Sequence, residues 1–391
     1  MNLTPTVRRT LLFGMAVVVV GCDVVQFASD PKPRLIQTWN MPASSSTISV
    51  AKFLPSGVSI YSTPATNPPD SIGFTVSISS VNISQVLATP TSGCTACIPL
   101  NGTNAIKPAF TLTANNAAAL PNNVVSAAVL QGQVTLSITN NLTFDPLYVN
   151  TLGSTTQGNM IITIRSGTLV LGADTVLGAA TQTTVGGKIV SSDFPPSPAA
   201  HSTLTRTITL NTGVVTTNMT ADVVFNSPVG DHTVPINISK TVDATFAIPT
   251  FVVGNAKINV PLTNITPGAP TDLPKDLDES LTKHVISGAL EMQITNPFTV
   301  SGNLNAQFKF GPAATDTVLK SFALPSATGT TPQLATISFD STSMAKIFQG
   351  SPTSLTMTGG VSSSSPLTVT PKQQVVMSNR LILKVRIGGG S

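Results

Sequence analysis

Val129-Leu130-Gln131-Gly132-Gln133-Val134-Thr135-Leu136-Ser137-Ile138-Thr139-Asn140 aligns without a gap on Val285-Ile286-Ser287-Gly288-Ala289-Leu290-Glu291-Met292-Gln293-Ile294-Thr295-Asn296, 156 residues further on. Val129/Val285, Gly132/Gly288, Ile138/Ile294, Thr139/Thr295 and Asn140/Asn296 are identical. Val134, Leu136 and Ile138 alternate with polar residues, as do Leu290, Met292 and Ile294. Side chains of a strand point to opposite faces in turn, so this pattern is a half-buried strand, written twice. Self-similarity at a long offset marks a duplicated unit, and it predicts two copies of one β architecture.

Working outward, Pro121–Ala128 and Leu277–His284 precede the two strands and read as one or two helical turns. Asp276, Asp278 and Glu279 suit the start of such a turn, where carboxylates meet unpaired backbone N–H groups. A calcium loop needs more oxygen ligands and a glycine turn, so the helix start is the better reading. Downstream, Thr205–Leu210 resembles Leu334–Phe339, and Val234–Ile238 resembles Leu367–Thr370. The first copy carries an extra stretch at about Met160 to Ser197. The last strand, Leu381–Ile387, puts Leu381, Leu383, Val385 and Ile387 on one face, with Lys384 and Arg386 solvating the other. Upstream, Thr47–Thr113 adds strands such as Phe74–Ile78, forming either a third sandwich or part of the first.

Composition agrees with strands. Charged residues are only 9% of the 391-residue chain, and Glu279 and Glu291 are its only glutamates. Thr and Val, stiff at the β-carbon, suit a pleated sheet, while 30 prolines and 28 glycines divide the chain into short segments. Hydrophobic residues at 41% leave enough apolar surface for a core, which argues against disorder. The expected fold class is all-β, with tandem immunoglobulin-like β-sandwich domains and short helical turns.

The N-terminus predicts export. Met1–Arg9 carries Arg8 and Arg9 and no acid. The apolar run that follows, ending at Val20, is far shorter than the roughly 20 residues a spanning helix needs. It closes on Val19-Val20-Gly21-Cys22. This resembles the lipobox of bacterial lipoproteins: an aliphatic residue, a tolerant position, a small residue, then the cysteine that receives a diacylglycerol. The resemblance implies cleavage before Cys22, acylation of its thiol, and attachment to a membrane of the cell envelope, periplasm-facing or at the cell surface. An ordinary signal peptide is the alternative, and the Arg8-Arg9 pair also resembles a twin-arginine leader. Asp23 after the cysteine resembles an inner-membrane retention signal of enteric bacteria, which leaves the membrane itself open. Each buried methylene contributes about 0.8 kcal/mol, so two or three acyl chains would hold firmly where one would not. The expected divisions are 1–21 signal peptide, 22–45 lipidated cysteine and tether, 46–118 N-terminal β region, 119–268 first repeat and 269–391 second repeat.

Loss of Arg8 and Arg9 lowers the formal charge from +4 to +2, which leaves no basic footprint for nucleic acid. With Cys22 acylated, Cys94 and Cys97 remain to form a disulfide in an oxidising compartment. The Gly and Pro around them read as a loop-tip staple rather than the helix N-terminus of a reactive pair. His201, His232 and His284 lie far apart in unlike contexts and read as surface residues, not metal ligands. Trp39 is read as packing. No hydrolase elbow, zinc motif, phosphate loop or dinucleotide fingerprint occurs, so no catalytic residue, cofactor or metal is expected.

The apolar alternation running into Ile294-Thr295-Asn296-Pro297-Phe298 resembles the late-embryogenesis-abundant type 2 (water-stress) domain, in which an Asn-Pro ends an early strand. That resemblance implies a sandwich without catalytic residues. The first copy departs from it, with Asn141 in place of Pro297. The sequence reading is thus a non-enzymatic structural, adhesive or binding lipoprotein, with an envelope protein or glycan as partner. The alternative is a carrier of lipid or another hydrophobic ligand in an apolar groove.

Overall fold

The computed structural model describes residues 35–63, 70–148, 157–216, 218–247, 251–266, 271–272, 284–313, 316–349 and 354–387. Cys22, the leader, the tether as far as residue 34, and Asp276, Asp278 and Glu279 lie outside the described residues.

In chain order the principal strands begin with β1 (Leu35–Ser49), β2 (Val58–Thr63), β3 (Asp70–Val76), β4 (Val81–Val86), β5 (Phe110–Ala119), β6 (Val124–Asn140) and β7 (Asn159–Ser166). Next come β8 (Leu169–Gly178), β9 (Lys188–Ser192), β10 (Thr203–Thr209), β11 (Asn218–Ser227), β12 (Thr241–Ala247), β13 (Phe251–Ile258) and β14 (Thr263–Ile265). The chain ends with β15 (Val285–Thr295), β16 (Val300–Lys309), β17 (Thr317–Leu324), β18 (Gln333–Asp340), helix α1 (Ser341–Gln349), β19 (Ser354–Ser363) and β20 (Gln374–Ile387).

The duplication appears in the strand order. In the first copy β10–β6–β12–β4 form one layer and β5–β11–β7–β8 the other. In the second, β18–β15–β20–β1 form one layer and β14–β19–β16–β17 the other. Register repeats as well. Ile208 lies opposite Val134, and Ile337 lies opposite Leu290, the residues that the sequence alignment pairs. Within each copy the layers pack face to face: Phe308 of β16 meets Phe339 of β18 with ring centroids 5.2 Å apart. Val134, Leu136, Ile138, Leu290, Met292 and Ile294 are all fully buried. At roughly 1.5–3 kcal/mol for burying each such side chain, these two strands anchor the cores.

The repeated glycines have a steric reason. A β-carbon on Gly132 would stand 2.7 Å from that of Phe251, and one on Gly288 would stand 2.6 Å from Met344 Sδ. Beyond Gly132, the N-terminal half of β6 leaves the sandwich and pairs with β13, which β3 and β2 continue.

Several expectations change. β1 starts at Leu35 and pairs with β20 down to Ser49, so residues 35–45 belong to the second copy's sheet rather than to a tether. Trp39 and Met41, set against Leu383 and Leu381, pack on the core from this strand. Trp39 packs against the core, as read, but from within this strand. Strands of 46–118 are shared out between both copies and the β2–β3 extension. Pro121–Ala128 is not helical: Asn123 turns the chain with φ 69°, and β-branched Val124 and Val125 begin β6. The counterpart turn at Leu277–His284 lies almost entirely outside the described residues.

Val234–Ile238 and Leu367–Thr370 are not equivalent. Thr233–Pro235 pairs with Asn104–Ile106, whereas Leu367–Val369 pairs with β13. The equivalent neighbours are β12 and the first half of β20, with Ala244 opposite Ile138 and Met377 opposite Ile294. Met160–Ser166 is likewise part of the shared frame, so the first copy's insertions are 141–158 and 179–202. Helix α1 went unread, although Met344, Ile347 and Phe348 have helical spacing and Asp340 Oδ1 caps it by accepting the Ser343 N–H at 2.7 Å.

Candidate functional site

Both copies turn on the same asparagine. Asn140 is buried; its Oδ1 accepts the Leu142 N–H (2.9 Å), and its Nδ2 donates to the carbonyls of Phe144 (3.0 Å) and Phe194 (2.6 Å). Asn296 is equally buried; its Oδ1 accepts the Phe298 N–H (2.9 Å), and its Nδ2 donates to Val300 (3.2 Å) and Pro325 (2.8 Å). A buried amide stays favourable only with its partners in place. Each asparagine therefore fixes the path of the chain leaving the central strand.

Beyond that turn the copies diverge. In the second, the chain enters β16 after three residues, and Phe298 packs edge-on against Phe53 with centroids 5.2 Å apart, filling that end. In the first, the longer connection wraps a pocket of about 230 Å³. It is lined by residues from four separate connections. Lys107 comes from the approach to β5, Thr143, Phe144, Asp145 and Tyr148 from the turn after β6, Pro196 from before β10, and Gly230, His232 and Val234 from after β11.

Lys107 is 3% exposed. Its Nζ donates to Ser227 Oγ at 2.6 Å and to the Pro228 carbonyl, and lies 5.6 and 5.9 Å from the ring centroids of Phe110 and Phe144. Burial lowers its pKa to about 8, against the opposing charge of Asp145. Asp145 holds the loop, its Oδ1 accepting the Leu147 N–H (2.7 Å) and its Oδ2 the Phe194 N–H (2.9 Å). Burial pushes its carboxyl above the usual range, outweighing those two hydrogen bonds. At the rim, His232 Nδ1 lies 2.8 Å from Asp231 Oδ1, and its ring meets Tyr148 edge-on at 4.9 Å. The histidine contact holds the Asp231 carboxyl below its ordinary value.

The first copy also contains a buried ion cluster. Asp174 accepts from Arg206 Nε at 2.8 Å and meets Lys188 Nζ at 2.5 Å; Arg206 and Asp174 are each nearly inaccessible. Burial alone would raise the Asp174 pKa, but the bonds from Lys188 and Arg206 outweigh it and hold the carboxyl below the ordinary range.

Among the residues named from sequence, His232 lies at the pocket rim, half-exposed in its Asp-His turn. His201 is exposed at a different place, 3.0 Å from Asp193, and His284 is exposed where β15 begins. Among the described residues, no three His, Cys, Asp or Glu side chains converge as metal ligands. Cys94 and Cys97 are joined, but not at a loop tip. Both are buried, and Cys97 sits in a short 3₁₀ helix, Thr95–Leu100, whose apolar side docks on the core. Lys107, Asp145 and Tyr148 escaped the sequence reading. The available signal was a lone lysine between Ile106 and Pro108 in a chain with so few charges.

No family model matches the chain, and no curated protein does. Among solved structures, a candidate secreted protein from Parabacteroides distasonis aligns over 91% of this chain and 100% of its own, with 8% identity and a TM-score of 0.30. The tandem CBM22 modules of Paenibacillus barcinonensis Xyn10C align over 88% and 98%, with 8% identity and a TM-score of 0.15. A chain of Broad Bean Stain Virus aligns over 80% and 90%, with 10% identity and a TM-score of 0.17. None of these likenesses reaches the level of a shared fold.

Proposed function

We propose that this chain is an exported, non-catalytic binding protein, held on a bacterial envelope membrane by acyl chains on Cys22, and that the first copy's loop-end pocket takes its ligand. The observation carrying this reading is the difference between two equal frames. The second copy closes its turn with Phe53 and Phe298, whereas the first spends four connections on a concave surface. Loops held by a rigid sandwich are where binding residues concentrate, and a pocket with a few placed polar groups is the usual form of a small-ligand site. Adhesion to an envelope protein or glycan fits that arrangement.

Two experiments test the parts separately. Cys22→Ser should release the mature protein from membranes or leave precursor behind; unchanged processing and membrane retention would end the anchoring reading. For the pocket, the double substitution Tyr148→Ala/His232→Ala removes the rim while leaving the buried layers alone. It should reduce binding of the full chain to isolated envelope polysaccharide at least tenfold. Undiminished binding would move the site elsewhere.

A further inference from the structure

The most unusual group in the molecule is the Lys107 ammonium. A lysine has three N–H donors, and here two of them reach neutral acceptors, Ser227 Oγ and the Pro228 carbonyl. The rings of Phe110 and Phe144 add cation–π attraction. No carboxylate among the described residues forms an ion pair with it. Asp145, the acid that acts on it electrostatically, already gives both oxygens to backbone N–H groups. The cluster around Asp174 shows how this same chain compensates a buried cation, with a carboxylate in direct contact. At Lys107 no such partner stands among the described residues, and the lysine lines the pocket. A buried charge without a counter-ion is costly, and an anionic ligand would remove the cost.

We propose that the pocket binds the carboxylate of a single acidic sugar residue, of hexuronate size, with the Lys107 ammonium as its counter-ion. This rests on the reading of the pocket as the binding site. Size sets the upper limit: about 230 Å³ is below the roughly 300–1,000 Å³ of pockets for drug-sized ligands. The aromatic and aliphatic lining (Phe144, Tyr148, Pro196, Val234) suits the C–H face of a pyranose. Polar atoms remain for its hydroxyls. The Tyr148 hydroxyl donates to Asp231 and keeps lone pairs, Thr143 donates to the Pro235 carbonyl and does the same, and among the described residues His232 bonds through Nδ1 alone. Charge favours a carboxylate over a phosphate, because Asp145 within the pocket and Asp231 at its rim oppose a second negative charge.

The test uses the full chain and isothermal titration calorimetry with D-glucuronate, its methyl ester, D-glucose and inorganic phosphate. Glucuronate should bind, and the uncharged ester and glucose should bind at least tenfold more weakly. Lys107→Met should abolish the preference. Because that variant alters a buried position, a second measurement uses the unsubstituted chain. Glucuronate affinity should fall roughly tenfold per pH unit once Lys107 deprotonates above about pH 8. The titratable groups facing the pocket are Asp145, Asp231, His232 and Tyr148. His232→Ala should leave the alkaline midpoint in place, which separates Lys107 from the histidine. Equal binding of glucuronate, ester and glucose would overturn the carboxylate assignment while leaving the pocket a binding site. Tighter binding of phosphate would replace the ligand class. Failure of all four probes, with polysaccharide binding still dependent on Tyr148 and His232, would overturn this proposal alone.

Discussion

The two copies share strand order, register and a three-bond asparagine turn, yet they use the ends of that frame differently. The second is compact at its turn, and a helix, α1, lays Met344 over Gly288. The first replaces those economies with long connections, a buried ion cluster and a pocket. Arg206 occupies the register position that Ala335 holds in the second copy. Copies released from an identical task keep the interactions that define the frame and diverge where the frame meets solvent or ligand.

The comparison breaks most sharply at the ion cluster. Asp174→Ala leaves Arg206 buried without its carboxylate and should cost about 3–5 kcal/mol in denaturant unfolding. Replacing Asp174 and Arg206 together by leucine should recover most of that loss, making the first copy resemble the second. Unfolding of the wild-type chain should also gain an acid-sensitive component. The folded Asp174 pKa lies below its unfolded value, so its contribution is present above roughly pH 4 and is lost as pH falls through the depressed value. The leucine pair should lose this component.

Next come the asparagines. Asn140→Ala and Asn296→Ala each strand buried backbone groups, at about 1–3 kcal/mol per unpaired group. Both should lower the melting temperature, but only Asn140→Ala should also weaken ligand binding, because its partners Phe144 and Phe194 flank the pocket loop. Gly132→Ala forces a β-carbon onto Phe251 and should cost about 1–3 kcal/mol. Gly288→Ala meets the end of a flexible methionine and should cost less than Gly132→Ala. Smallest is the Glu291–Arg380 pair across β15 and β20, where the arginine is half-exposed. Its removal should cost about 1 kcal/mol or less in a double-mutant cycle.

How much of this was legible follows from range. Alternation in 129–140 and 285–296 is a local signal, and it correctly placed both central strands and the 205–210 and 334–339 neighbours. The next neighbours were misassigned because Val234–Ile238 and Leu367–Thr370 look alike locally, whereas strand pairing is decided by distant partners. β1 was hidden for the same reason: nothing in Leu35–Ser49 names β20, some 340 residues away. The helix at Ser341 is short, and its local signals are the Asp340 cap and the apolar spacing of Met344, Ile347 and Phe348. Lys107 became meaningful only when four distant connections met around it. Its sequence neighbours, Ile106 and Pro108, give no hint of Phe144 or Ser227.

The pairing of β1 with β20 has a mechanical consequence. On the anchored reading, a pull from the membrane enters at Leu35, and a pull from a captured ligand enters through the first copy, reached from the far end of β1 past Ser49. Both forces meet along β1 itself, so its extended backbone carries the tension while its rungs to β20, from Leu35–Ile387 to Ser49–Gln374, hold it in place. The same strand that completes the second sandwich would serve the tethered molecule as its tension member.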